Sequence, residues 1–106
     1  MAESIGERVR RAVRTGTYRL TEHAELEREA DTILMNELEE AFGSEIVELV
    51  EDYPDDPRGP SALFLGFTDQ DRPLHVVLSM ANSVTVVFVT LYRPDPALWH
   101  EWRKRV

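Results

Sequence analysis

Closely spaced apolar runs in the second half of the chain limit what it can fold into. Arg72-Pro73-Leu74-His75-Val76-Val77-Leu78 reads as a buried strand. Val84-Thr85-Val86-Val87-Phe88-Val89-Thr90-Leu91-Tyr92-Arg93 reads as a second, apolar until it ends in Thr90, Tyr92 and Arg93. Ala62-Leu63-Phe64-Leu65-Gly66-Phe67 precedes them as a third. Asp69-Gln70-Asp71 and Ala81-Asn82-Ser83 are the turns that join the three. Upstream, Ile46, Val47, Leu49, Val50 and Tyr53 fit one more strand, or a helix prolonged to Val50. Pro54-Asp55-Asp56-Pro57-Arg58-Gly59-Pro60 is a loop, because its prolines admit neither element.

The first half is helical in pattern. Ile5, Val9, Ala12 and Val13 fall on one face of a helix that Gly16 ends. Tyr18-Arg19-Leu20 is short and extended. Thr21 can cap a second helix, Glu22 to about Ala30, with Glu22 and Glu25 suited to the dipole of its first turn. Asn36 can cap a third, Glu37 to Phe42, ended by Gly43. At the other end, Asp95 and Pro96 can start a short helix with Leu98, Trp99 and Trp102 inward. The expected fold is α+β and a single domain over residues 1–106. N-terminal helices pack on one face of an antiparallel meander of three to four strands, and a short C-terminal helix closes it.

With 106 residues and no cysteine, the chain has no disulfide framework, thiolate nucleophile or cysteine metal site. It holds no apolar stretch near the roughly 18 residues of a membrane span, and Met1-Ala2-Glu3-Ser4 does not open a signal peptide. A soluble, cytoplasmic protein is expected. The net charge of −8 is unevenly spread: fourteen of the twenty acids lie in residues 21–57, against Arg28 alone, and both ends are mildly basic. That block reads as a solvated helical face, and it disfavours non-specific nucleic-acid binding.

The chemistry is concentrated in the strands. His75 shares a strand face with Val77 and Ser79, while Leu74, Val76 and Leu78 point the other way. It lies either beneath the helices, as a core histidine bonded to a carbonyl or hydroxyl, or on the open face, where it can act as a general acid or base. Thr90 and Tyr92 end the neighbouring strand. His23, in the first turn of the second helix, is a second candidate base or a plain surface residue. His100 is expected in solvent. Arg58, Arg72 and Arg93 lie at strand mouths, where a guanidinium can hold a phosphate or pair with the acidic block. No HxH, HExxH, phosphate-loop or nucleophile-elbow spacing occurs, so no metal or cofactor is expected.

Taken together, Tyr53-Pro54-Asp55-Asp56-Pro57-Arg58-Gly59-Pro60-Ser61, Leu65-Gly66-Phe67, Arg72-Pro73-Leu74-His75-Val76-Val77 and Thr90-Leu91-Tyr92-Arg93-Pro94-Asp95, with Trp99, resemble a bacterial family called domain of unknown function 4258. His23-Ala24 at a helix start also fits, and the resemblance spans about residues 17–100. That family is similar to the RelE and barnase-like small ribonucleases, many of them toxins of toxin–antitoxin pairs. The resemblance implies His23, His75, Thr90 and Tyr92 as catalytic candidates, with Arg58, Arg72 or Arg93 on phosphate. It also implies a metal-independent endoribonuclease with an RNA substrate and a zinc-finger-type antitoxin as partner. One departure is plain: Glu25-Leu26-Glu27-Arg28-Glu29-Ala30-Asp31 is acidic where many relatives are basic, which sets carboxylates against RNA. The alternative expectation is a non-catalytic module of the same fold that binds a basic partner or forms a homodimer through a sheet edge.

Overall fold

The computed structural model describes residues 3–81 and 85–106. Val84 and the Asn82-Ser83 part of the expected turn lie outside them. Helix α1 (Ile5–Thr15) starts at Ser4, whose hydroxyl accepts from the Glu7 amide at 3.1 Å, and stops at Gly16 in the left-handed conformation, φ 73°. Strand β1 (Tyr18–Leu20) leads into α2 (Glu22–Ala30), capped by Thr21 as its sequence predicts. Helix α3 (Met35–Phe42) begins two residues before the expected Glu37. Its start is fixed by the Glu37 carboxylate, which accepts from the Leu34 amide at 3.0 Å, and not by Asn36.

Strands β2 (Glu48–Tyr53), β3 (Ser61–Phe67), β4 (Pro73–Ser79) and β5 (Val86–Tyr92) form the expected antiparallel meander. The sheet is nevertheless mixed, not antiparallel. Its order is β1-β5-β4-β3-β2, with β1 parallel to β5 at the edge. Tyr18-Arg19-Leu20 alternates, but three residues are too few to signal a pairing made so far along the chain.

The core lies between the helices and one face of the sheet. Phe64, Leu74, Val76, Leu78, Phe88 and Leu91 meet Val9, Val13, Ala24, Leu38, Ala41 and Phe42. Helix α3 comes so close that a Cβ on Gly66 would stand 2.7 Å from the Ala41 carbonyl. Beyond β1, the outer edge of β5 is closed by α2: Glu27 accepts from the Leu91 amide at 3.3 Å, and Asp31 from the Arg93 amide at 2.8 Å. Part of the acidic block thus satisfies the stretch of β5 that short β1 leaves unpaired.

The expected C-terminal helix is absent. Residues 99–105 form a small hairpin, β6 (Trp99–His100) and β7 (Lys104–Arg105), that lies on the sheet face the helices leave bare. Asp95 does start a turn, accepting from the Ala97 amide at 2.8 Å, but no helix propagates from it. A helix this short has little stability of its own, and tertiary contacts decide its form. Here Trp99 seats against His75, while Arg103 and Arg105, at alternating positions, reach carboxylates on β2. Among the described residues no helix is long and apolar enough to cross a membrane.

Candidate functional site

A β-bulge creates the site. Thr90 stands opposite Val77 and Phe88 opposite Leu78, so Val89 is the extra residue between them. Strict alternation would put Phe88, Thr90 and Tyr92 on one face. The bulge sends Phe88 to the helices, and it turns Thr90 and Tyr92 to the face that carries His75. His75 pairs with Leu65 of β3 on one side and Tyr92 of β5 on the other.

His75 is on the helix-free face, yet it has no solvent exposure, because the hairpin covers it. Its Nε2 lies 2.7 Å from the Trp102 carbonyl oxygen and its Nδ1 lies 3.0 Å from the Tyr92 hydroxyl. A carbonyl only accepts, so Nε2 carries the proton and Nδ1 accepts from the tyrosine. The rings of Trp99 and Tyr92 meet the imidazole edge-on, at centroid distances of 4.6 and 5.3 Å. Burial holds its pKa below the ordinary 6.5, against the opposing pull of the Trp102 carbonyl and Glu51. Burial likewise pushes the Tyr92 hydroxyl up to about 12, so it stays a proton donor.

Glu51 and Tyr53 of β2 face the same side, opposite Leu63 and Ser61. The Tyr53 hydroxyl donates to Glu51, and Arg105 reaches the same carboxylate at 2.9 Å while lying over the Trp99 ring at 4.6 Å. The bond from Arg105 keeps the Glu51 carboxyl below its ordinary range. Arg103 does the same for Glu48, at 2.7 Å. Glu51, Arg105 and the Trp102 carbonyl were not among the residues the sequence pointed to. Their only sequence signals are the alternation of Glu51 with Tyr53 and of Arg103 with Arg105.

The other predicted residues lie apart from this cluster. His23 is largely exposed and bonds Glu27 at 3.1 Å on the outer side of β5, so that strand separates it from His75. Arg93 is fastened to both oxygens of Glu37, at 2.8 and 3.1 Å, and Arg72 reaches the same carboxylate at 3.4 Å. Burial works against the charge on Glu37, yet the bonds from Arg93 and the Leu34 amide leave its carboxyl below the ordinary range. Arg58, mostly exposed, pairs with Asp56 at 3.4 Å. With Ser61, Val77 and Ser79 it lines a hollow of about 50 Å³ at the uncovered end of the His75 face. Ser79 is four residues from His75, roughly 13 Å along the strand. A larger cleft of about 390 Å³ lies between α2 and the C-terminal segment, lined by Glu27, Asp31, Tyr92, Arg93 and Trp99 among others. His100 is exposed. Among the described residues no group of three or more His, Asp or Glu side chains is placed to hold a metal ion.

The protonation of this site has a measurable consequence. Folded His75 holds its proton less tightly than the unfolded chain does, so below about pH 6.5 the unfolded state binds more protons. Its contribution to stability is complete above that pH and falls as the pH drops through the window. Glu37, Glu48 and Glu51, with lowered pKa values, lose theirs only below about 4.5. Urea unfolding from pH 8 to 3 is expected to show two stages, with the upper one missing in His75→Gln. A wild-type stability flat between pH 7 and 5 would contradict the neutral, enclosed imidazole.

Fold and site together define a small α+β domain: helices on one face of a five-strand mixed sheet, a histidine–tyrosine pair on the other. The chain belongs to the family described as Domain of unknown function (DUF4258), whose model matches residues 20–93. The match starts at Leu20, the last residue of β1, takes in α2 to β5 and ends before the hairpin. No match was found among the curated proteins or among the solved structures.

Proposed function

We propose that this chain is a ribonuclease-like toxin domain of the RelE/barnase type, with the helix-free face of the sheet as its working face. The supporting observation is the His75–Tyr92 pair buried at the centre of the sheet, opposite Leu65. A purely structural position there is better filled by valine or leucine, since burying an imidazole costs desolvation. Titratable groups held at such a cost concentrate at functional sites.

In metal-independent RNA cleavage the 2′-oxygen attacks phosphorus and the 5′-oxygen leaves. A base takes the 2′-hydroxyl proton, a cation steadies the phosphorane, and an acid protonates the leaving oxygen. His75 is the base in this reading. Its Nε2 is bonded to Trp102 in the closed form, so the face works once the hairpin lifts. The Tyr92 hydroxyl can then accept from Nδ1–H, which leaves Nε2 free to take a proton. Thr90 offers a hydroxyl to the phosphate, and Arg58, at the open end, can hold a neighbouring phosphate of the RNA backbone. Silencing would fall to a cognate partner, of the small zinc-finger type that the resemblance implies.

A second reading, a non-catalytic module of the same fold that binds a basic partner, is favoured by the complete enclosure of His75 and by the acidic block. A labelled RNA incubated in EDTA with the full chain, and with an Arg103→Ala/Arg105→Ala chain whose hairpin is loosened, separates the two. The nuclease reading expects cleavage by the loosened chain, reduced about 10²–10⁴-fold on adding His75→Ala. A folded, loosened chain that neither binds nor cuts RNA leaves the module.

A further inference from the structure

We propose that the sheet face over His75 is a docking surface for a segment of another protein that carries an aromatic side chain and two arginines at alternating positions. That segment would take the place now held by the chain's own hairpin. The inference builds on the reading of this face as the working face, and it does not require cleavage.

The chemistry of the occupant is read from what already sits there. Trp99 is 5% exposed and fills a slot against the His75 ring. Arg103 places Nε and Nη2 on the two oxygens of Glu48, at 2.7 and 3.0 Å. Arg105 forks in the same way onto Glu51, at 2.9 and 3.0 Å. An aromatic slot with two forked carboxylates beside it is a specific pattern, because such pairs fix direction as well as charge.

The present occupant is built to be replaceable. Both arginines are substantially exposed, so water, salt and a competing guanidinium can reach each forked pair. The turn between the strands puts Glu101 at φ 49° and Trp102 at φ 66°, a left-handed conformation that side chains other than glycine adopt reluctantly. Trp102 is the residue whose carbonyl holds His75, so the contact that closes the site comes from a strained turn. The family match ends at residue 93, so the strands that form the face are matched and the hairpin is not.

Charge selects a foreign segment over a second copy at the bare edge of the sheet. Strand β2 is terminal in the strand order and carries Glu48, Glu51 and Asp52. With the hairpins lifted, two copies meeting there would set acid against acid, whereas a basic segment is drawn in.

The test uses the labelled peptide of residues 97–106 as a stand-in, titrated by anisotropy into the full-length wild type and into Arg103→Ala/Arg105→Ala. Binding to the loosened chain is expected to be at least tenfold tighter. It should weaken with salt and disappear when Glu48→Gln/Glu51→Gln is added. Should the double arginine variant fail to fold, Trp99→Ala serves as the loosened chain. Equal affinity for both chains, or no affinity for a chain whose His75 ring resonances show the hairpin gone, overturns the proposal. So does exchange of hairpins into a dimer by native mass spectrometry in preference to peptide. RNA cleavage is followed on the same samples. Peptide binding without cleavage sinks only the nuclease reading, and cleavage without peptide binding sinks only this one.

Discussion

Trp99→Ala is expected to release the hairpin and expose His75 while leaving the helices and their core in place. The indole is buried against the imidazole and beneath the Arg105 guanidinium, and it lies outside the cluster that the helices form with the sheet. Truncating a buried tryptophan costs about 3–5 kcal/mol. Here the loss falls on the hairpin, whose other anchors are the Trp102 carbonyl on His75 and the ion pairs of Arg103 and Arg105. Opening shifts by a factor on the order of 10² to 10⁴, enough to make the open form dominant if closure is worth only a few kcal/mol. Two measurements read it. The His75 ring titration by NMR should move up towards the ordinary 6.5, because burial is the main cause of its lowering. Far-UV circular dichroism should keep its helical signal. An unchanged His75 titration would show that the rest of the hairpin holds without its tryptophan, and the closed face would then not be a latch.

The parts of the fold that were legible in the sequence are those whose signals are local. Ser61–Phe67, Pro73–Ser79 and Val86–Tyr92 are apolar runs between turns, and α2 has a threonine cap followed by acids. The parallel pairing of Tyr18–Leu20 with Val86–Phe88 joins segments far apart in the chain, and three residues carry no register information. The C-terminal segment misleads for a definite reason. Leu98, Trp99 and Trp102 keep helical spacing, but Leu98 is mostly exposed and Trp99 turns to His75. The deciding partners, Glu48 and Glu51, lie on a strand some fifty residues earlier.

The candidate site divides in the same way. His75 beside Tyr92 follows from two adjacent antiparallel strands, although the bulge at Val89 that puts them on one face is not visible in the residues. The covering of His75 was not legible, because it depends on the misread segment. Nor was the fate of the acids on α2. Glu27 and Asp31 look like a solvated face, and they are spent on the backbone amides of Leu91 in β5 and of Arg93 just after it. His23 is drawn to Glu27 one turn along its own helix, so a local pair removes it from the cluster.

Phe88→Ala sets the opposite case, in which the site is lost through the core. Phe88 is wholly buried, edge-on to Tyr18 at 5.5 Å and tilted against Phe42 at 6.1 Å. It therefore ties β1, α3 and β5 together. Its removal is expected to cost about 3–5 kcal/mol, a large share of the 5–15 kcal/mol typical of a domain. The loss should be global, appearing as a lower urea midpoint with an unchanged slope. Phe88 also sits next to the bulged Val89, and that bulge alone turns Tyr92 towards His75. Loosening the inward side of β5 at this point therefore frees the register on the outward side. In Phe88→Ala the His75 resonances should broaden together with those of the core, at the same urea concentration. In Trp99→Ala they should change while the core stays intact. If Phe88→Ala unfolds without any change in the environment of His75 before or during the transition, the coupling of core and site through the bulge is wrong.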